Sequence, residues 1–515
     1  VLFPEKGAIF WELDVKRQVK NQIRWSGENE ITVQEAQMRT FSNFAWMFMR
    51  TEGDYNFSTG SRGRGNLSSV ANPYFLFPQI YNFRYNIYSS EWPVANRAIE
   101  LYLQKKSENE GWERQINGLS NNEKANLLLE KHTFKELLAD VEQRNLQNNI
   151  VGLEASRIFA RSEINMGVDA FRDSLYAMLK RNTFLNIKFE NMLDTLGQMS
   201  RTDIYSSLKE WEQLTPLPFY SIGEPELTKV VNKGGEEFFV LKVLVSNNSD
   251  YDGIIQMNVL QNGWWYQPLE DPRARKKVEI AAHTTKEFVS VWEEQIREVE
   301  VNTMISGNLP YMIRQSIGNV KQERNKIVKD SIYTLPESSL EMPGEIIVDN
   351  EDSTLFVLST PPVVGLLPKW LDEVEETPFK YSGISWWRAP LQWTATTNAK
   401  YYGKYIRSAY VIKSGDGSQT ATWKIPVPEA GQYELYYYVF KNDELRWNDR
   451  LQGEYHFRVA YDSEVEDAYI NLRKANEGWE QLGTYYFSAD TVRVVLTDEC
   501  KLRSVTADAV KIVKR

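Results

Sequence analysis

The sequence predicts a multidomain α + all-β protein in which a mainly helical region precedes two β-sandwich domains. Apolar residues recur at spacings of three and four up to about residue 222, and they alternate with a period of two after it. The chain of 515 residues is also too long for a single hydrophobic core. The predicted parts are an aromatic-rich segment (1–80), a helical domain (81–222), a β-sandwich (223–334) and a second β-sandwich (345–515).

The composition is that of a globular protein with an excess of acidic side chains. Charged residues make up 25% of the chain and the net charge is −10. Nucleic acid is therefore disfavoured as a partner, because binding to phosphates requires clustered Lys and Arg. No apolar run approaches the roughly 18 residues of a transmembrane helix, so no transmembrane segment is predicted in this chain. The chain begins at Val1 rather than Met, and we expect it to be a portion of a longer protein.

The helical part has a recognisable helix start and a characteristic end. Ser120 precedes Glu123 at the spacing of a capping box, which predicts that a helix begins there. The stretch FENMLDTLGQMSRTDIYSSLKEWEQLTPLPFY, residues 189–220, reads as two further helices that end at Trp211 before a short Pro-rich run into a strand. Earlier in the same region, a helix is followed by Gly-x-x-x-Phe at Gly167 and Phe171 and by a helix that ends in a basic turn.

In this order, the elements of residues 80–222 resemble the post-catalytic helical region of gluzincin (zinc) aminopeptidases. That family binds zinc through His-Glu-x-x-His on one helix and a downstream Glu. The motif is absent from this chain, and Cys500 is its only thiol. The histidines are far apart in the sequence: His132, His283 and His456. We therefore predict no catalytic residue, no metal site and no cofactor in this chain.

Residues 223–334 alternate in the manner of an antiparallel sandwich and are broken by clusters of turn residues. One of these clusters is rich in side-chain oxygen atoms and therefore has the composition of a calcium loop: Asn247, Asn248, Asp250 and Asp252. We interpret it as a plain turn, because Asn and Asp favour turns through hydrogen bonds to their own backbone.

The last part of the chain contains short alternating segments such as GEIIVDNEDSTLF, GQYELYYYVF and GEYHFRVAY. They are followed by a Trp-x-x-Leu-Gly-x-x-x-Phe run that starts at Trp479, and by Ala-Asp-Ala-Val at 507–510. With these motifs, residues 345–515 resemble the golvesin and xanthan-lyase carbohydrate-binding-like β-sandwich. The resemblance implies a glycan-binding or protein-binding module.

Aromatic side chains are the candidates for ligand contact, because sugars present apolar faces that stack on flat rings. Rings on strands alternate into the core, whereas rings on loops are free to stack. We therefore predict Trp423 and Trp479 to be core residues. The glycan-binding candidates are loop tryptophans: Trp386, Trp387, Trp393 and Trp447.

The sequence supports three hypotheses for function. The first is a non-catalytic, multidomain protein of a bacterial cell envelope or the extracellular space, with polysaccharide or an envelope protein as partner. The aminopeptidase resemblance implies the second, the C-terminal part of a peptidase-like protein fused to an export permease, as in Bacteroidota, with the catalytic half upstream of this chain. The third is an accessory protein of polysaccharide processing that binds glycan and uses its helical part as a spacer.

Overall fold

The computed structural model confirms the predicted fold class, with helices in the N-terminal part and antiparallel sheets in the C-terminal part. It describes residues 16–24 (without 18 and 22), 32–40, 85–103, 110–140, 142–182, 185–214, 216–232, 234–260, 271–318, 320–324, 328–340, 344–359, 379–384, 389–441 and 453–515. The chain divides into two compact units, 1–108 with 124–217 and 251–279, and 109–123 with 218–250 and 280–515.

From residue 95 onward, the helices of the described part of the chain follow one another closely. They are α1 (Ala95–Leu103), α2 (Glu110–Asn117), α3 (Asn121–Lys131), α4 (Phe134–Ala139), α5 (Gln147–Met166), α6 (Val168–Arg181), α7 (Phe189–Ser200) and α8 (Ile204–Lys209). A short parallel pair of strands, β1 (Tyr85–Tyr88) and β2 (Leu185–Lys188), belongs to the same region. None of the helices in the described part of the chain has both the length and the hydropathy that a membrane-spanning helix requires.

The predicted capping box starts α3. The backbone N–H of Ser120 donates to Glu123 Oε2 at 2.7 Å, and the N–H of Glu123 donates to Ser120 Oγ at 3.2 Å. The two bonds satisfy backbone donors that the first turn of a helix leaves free. Trp211, where the helical part was predicted to end, is fully buried and packs edge-on against Phe134 at 4.6 Å between ring centroids.

The first compact unit also holds a buried ion pair. Lys277 Nζ binds Glu163 Oε2, and both side chains are almost completely buried. Tyr102 donates its hydroxyl to the other oxygen of the same carboxylate at 2.8 Å. Because two charges that leave water lose their hydration, each of them depends on the other for stability in this position.

The middle strands are β3 (Tyr220–Ile222), β4 (Glu226–Val231), β5 (Glu237–Asn247), β6 (Gly253–Leu260), β7 (Arg275–Ile280), β8 (Thr284–Trp292), β9 (Glu298–Asn302), β10 (Met312–Ser316), β11 (Val320–Arg324) and β12 (Ser331–Pro336). In the second unit, one sheet has the order β11-β4-β5-β8-β12 with β3 on β5, and β9 pairs with β10. The oxygen-rich cluster at its β5 end is a turn, as predicted: Asn247 Oδ1 accepts the backbone N–H of Ser249 at 3.1 Å.

The C-terminal strands are β13 (Glu345–Val348), β14 (Phe356–Leu358), β15 (Thr394–Thr397), β16 (Ser408–Lys413), β17 (Thr420–Pro426), β18 (Gly431–Val439), β19 (Glu454–Tyr461), β20 (Glu464–Asn471), β21 (Gly478–Phe487), β22 (Thr491–Thr497), β23 (Ser504–Ala507) and β24 (Val510–Lys514). They form three sheets: β13-β24-β18-β21, β14-β17-β22-β19-β20 and β15-β16-β23. The first two enclose a core with Trp423, which is 0% exposed, and the rings of Tyr437 and Phe457. Trp423 is therefore a core residue, as predicted.

Candidate functional site

A β-bulge in β21 places Trp479 on the outer face of its sheet. Leu435 pairs with Gly483, but Tyr436 pairs with Gln481, so Leu482 is an extra residue in the ladder. Since an extra residue reverses the alternation, Trp479 does not share the inward face of Tyr485 and Phe487. It is half-buried and absent from the core cluster. The prediction that Trp479 is a core residue was wrong for this reason.

Trp479 is the centre of an aromatic cluster. Its ring centroid lies 5.0 Å from that of Tyr402 and 5.1 Å from that of Tyr438, which meets it edge-on. Tyr402 and Tyr438 are 5.5 Å apart. All three side chains are partly exposed, so the cluster is a surface feature with rigid rings. We call Tyr402, Tyr436, Tyr438 and Trp479 the aromatic face.

Polar groups border the aromatic face. Lys511 Nζ lies 4.8 Å from the ring centroid of Trp479 and 5.3 Å from that of Tyr436, which are cation–π distances. The same ammonium group donates to Glu345 Oε1 at 2.9 Å. The Tyr436 hydroxyl donates to a Glu434 carboxylate oxygen at 2.6 Å, and this bond raises the pKa of the phenol. Flat rings beside hydroxyl, ammonium and carboxylate groups are suited to a ligand with apolar faces and many hydroxyls.

The position of Tyr402 depends on a buried carboxyl group. Asp508 is completely buried, and its Oδ2 accepts the backbone N–H of Tyr402 at 3.2 Å. Its Oδ1 has no hydrogen-bond partner among the described residues. Burial raises the pKa of Asp508, and the nearby charge of Asp349 raises it further. Burial likewise raises the pKa of Asp349 to about 8.

The structure describes one of the four predicted loop tryptophans. Trp393 precedes β15, so it is on a loop as predicted, but it is half-buried and packs against the hydrophobic core. Its Nε1 is buried without a hydrogen-bond partner in the described part of the chain. The remaining candidates lie outside the described residues: Trp386, Trp387 and Trp447. A role of any of the four in ligand contact stays a prediction.

The histidines lie in separate environments. His132 is exposed just after α3. His283 lies between Asp250 and Glu337, at 2.8 and 2.9 Å, and these hydrogen bonds raise its pKa. Within the described ranges, no group of three or more His, Cys, Asp or Glu side chains is arranged to hold a metal ion.

The sequence did contain a signal for the aromatic face that the prediction missed. An isolated glycine within a strand pattern is typical of a bulge. Gly483 is such a residue, and a Cβ there would lie 2.8 Å from the Tyr485 ring. The packing of Tyr402 against Trp479 had no such signal, because it joins residues far apart in the chain.

Comparison with known proteins confirms the resemblance of the C-terminal part. Residues 387–514 match the family of the Golvesin C-terminal domain. A search of curated proteins found no match.

Solved structures that are similar include a xanthan lyase from Paenibacillus (16% identity, TM-score 0.24, covering 58% of this chain and 27% of that one) and the CBM35 of Abf62 from Cellvibrio japonicus (10%, 0.16, 22% and 75%). Aminopeptidase A from Legionella pneumophila in complex with aspartic acid is also among them (15%, 0.21, 47% and 26%). The chain spans about a quarter of the length of the xanthan lyase.

Proposed function

We propose that this chain is a non-catalytic protein of the bacterial cell envelope or the extracellular space, and that its golvesin-like domain binds glycan through the aromatic face. The observation that carries the proposal is the partly exposed ring of Trp479, which contacts the rings of Tyr402 and Tyr438. A partly exposed tryptophan on the outside of a sandwich is not required for packing of the core. Lys511 Nζ lies over one face of the Trp479 ring, and the part of the ring that stays exposed is a flat apolar surface of the kind on which sugar rings stack.

The groups around Trp479 support a polar, hydroxyl-rich ligand rather than an apolar one. Gln481 is exposed beside Tyr436, and Glu345 and Glu434 are half-buried on the same face. Amide and carboxylate groups at the border of stacked rings fix the orientation of a ligand through hydrogen bonds. The family match of residues 387–514 supports the same assignment.

The proposal is tested by Trp479→Ala in the full chain, with affinity electrophoresis through gels that contain single polysaccharides. The variant is expected to bind more weakly by about 1 to 3 kcal/mol, a range taken from the stacking of nucleic-acid bases on aromatic rings. Tyr333→Ala is the matched control, because Tyr333 is a 53% exposed strand tyrosine outside the golvesin-like domain. Unchanged migration of Trp479→Ala on every polysaccharide that retards the parent chain would rule out the aromatic face.

The predicted loop tryptophans are a second location for the same function. Single alanine variants of Trp386, Trp387 and Trp447 are expected to weaken polysaccharide pull-down without lowering the melting temperature. Trp393→Ala is expected to lower the melting temperature as well, because this ring packs against the hydrophobic core. If Trp386→Ala and Trp387→Ala both abolish the melting transition, these rings are core residues. If the loop variants bind like the parent while Trp479→Ala does not, the aromatic face is the site.

The resemblance of residues 80–222 to an aminopeptidase tail supports the second hypothesis, in which a catalytic zinc half precedes Val1. Elemental analysis of the full-length gene product decides it. Stoichiometric zinc together with an upstream His-Glu-x-x-His would overturn the non-catalytic proposal. The third hypothesis, an accessory protein of polysaccharide processing, shares the glycan site and differs only in the use of the helical part.

A further inference from the structure

The outer face of the second large sheet of the golvesin-like domain carries a group of cations. Lys424 on β17 is directly opposite Arg493 on β22, and Arg493 is opposite Ala460 on β19. Arg458, two residues before Ala460, is therefore diagonal to Arg493, at roughly 7–8 Å between Cα atoms. Each of the three alternates with buried neighbours, so all three side chains point outward. We call Lys424, Arg458 and Arg493 the cationic face.

The three cations have no carboxylate partner within the described residues. Arg458 is opposite Asp467 on β20, but the two side chains form no ion pair, and Asp467 Oδ1 binds His456 Nε2 at 2.8 Å. Several other cations of the same domain are paired, for example Lys511 with Glu345 at 2.9 Å. Like charges on adjacent strands repel one another and destabilise a sheet. In a chain with a net charge of −10, unpaired neighbouring cations indicate a surface for an anionic ligand.

An exposed ring lies on the same face. Tyr469 is 56% exposed and is opposite His456, on the outward side of β20. The two rings are stacked, with centroids 4.9 Å apart and planes at 9°. Tyr469 is opposite His456 on β19, and Arg493 is opposite Ala460 on the same strand. Four residues separate these two positions on β19, which corresponds to roughly 14 Å along the strand. The face therefore offers a stacking ring at one end and positive charge at the other, over more than the length of one sugar ring.

We propose that the cationic face binds a polyanionic glycan whose sugars carry carboxylates. One sugar ring stacks on Tyr469, and carboxylates further along the polymer pair with Arg458, Arg493 and Lys424. Arginine is suited to this role because its planar guanidinium group binds a carboxylate through two parallel hydrogen bonds. The inference goes beyond the proposed function, since the surface belongs to the sheet that does not contain Trp479, and it holds whether or not the aromatic face binds sugar.

The test compares the full chain with the variant Lys424→Gln/Arg458→Gln/Arg493→Gln on polygalacturonate and on neutral dextran, at about 50 and 200 mM salt. The matched control is Lys131→Gln/Lys276→Gln/Lys329→Gln, which removes the same charge from exposed positions outside the golvesin-like domain. Circular dichroism melts verify that each variant is folded.

The parent and the control are expected to bind polygalacturonate more tightly at low salt than at high salt. At low salt, the triple variant of the cationic face is expected to bind it about tenfold more weakly than the parent, or weaker still. Tyr469→Ala is expected to weaken binding at both salt concentrations, since stacking is not screened. Equal affinity of parent and cationic-face variant would overturn the proposal. So would equally tight binding of single-stranded DNA with the same loss in the variant, which would identify a general polyanion surface. An equal loss of dextran binding in the cationic-face variant would also overturn the proposal, because dextran carries no carboxylate.

Discussion

Asp349 is expected to make the stability of the golvesin-like sandwich fall as the pH rises. It follows β13 directly, and burial raises its pKa to about 8 from an ordinary value of 3.8. A carboxyl group whose folded pKa is raised stabilises the fold below its unfolded pKa, and this contribution is lost as the pH rises through the folded pKa. Between pH 4 and 8, the folded state therefore binds up to one proton more than the unfolded state.

One extra proton corresponds to a slope of about 1.4 kcal/mol per pH unit at most. From pH 5 to pH 7, Asp349 thus lowers the free energy of unfolding by up to about 3 kcal/mol. Asp349→Asn removes this titration and leaves the local geometry in place, because the Asn350 N–H donates to Asp349 Oδ1 at 2.7 Å and an amide oxygen accepts the same bond. The variant is expected to be more stable than the parent near pH 7 and to have a smaller slope.

Hydrogen exchange of the full chain measures this effect locally. Peptides from β17 and β18 report the opening of the sandwich, and corrected protection factors at several pH values give its free energy. Asp508 titrates in the same core, so the difference between parent and variant is the informative quantity. Parallel curves for parent and Asp349→Asn would refute the reasoning, since they would show that Asp349 is ionised in the folded state.

Three further predictions concern the scaffold. Trp423→Ala is expected to destabilise the sandwich by about 3 to 5 kcal/mol, and Trp479→Ala by clearly less, in the same exchange measurement. Equal destabilisation by the two substitutions would show that Trp479 is a core residue. Lys277→Met is expected to destabilise α5 by about 3 to 5 kcal/mol because Glu163 is left buried without its counter-ion, and unchanged protection of α5 would contradict this. Limited proteolysis is expected to cut within 335–345 and to give a C-terminal fragment of about 170 residues on a denaturing gel. Progressive cleavage through the sandwich would contradict the prediction that it is an autonomous domain.

Local patterns in the sequence were sufficient for the fold class. The capping box of Ser120 and Glu123 lies within four residues and is visible without any tertiary information. The alternation in GQYELYYYVF likewise separates the buried Tyr433 and Tyr437 from the outward Tyr436. Such features depend only on neighbours along the chain.

The candidate surfaces could not be read from the sequence, because they depend on relations between strands. One bulged residue reversed the side of the sheet on which Trp479 lies, although the period-two pattern around it was correct. The cationic face consists of Lys424 on β17, Arg458 on β19 and Arg493 on β22. In the sheet β22 lies between β17 and β19, whereas in the sequence it follows both. Register and strand order are set by packing of the whole sandwich, so neither has a local signal.

The Ala-Asp-Ala-Val motif that marks the domain in the sequence has a structural role in this arrangement. Asp508 is too deeply buried to contact a ligand, yet its side chain holds the backbone of Tyr402, and its carbonyl oxygen accepts the Trp423 Nε1–H at 3.1 Å. One residue thus joins the central core tryptophan to the loop that packs on Trp479. Because this buried side chain holds the backbone of Tyr402, the ring of Tyr402 is positioned before any ligand binds, which reduces the entropy lost on binding.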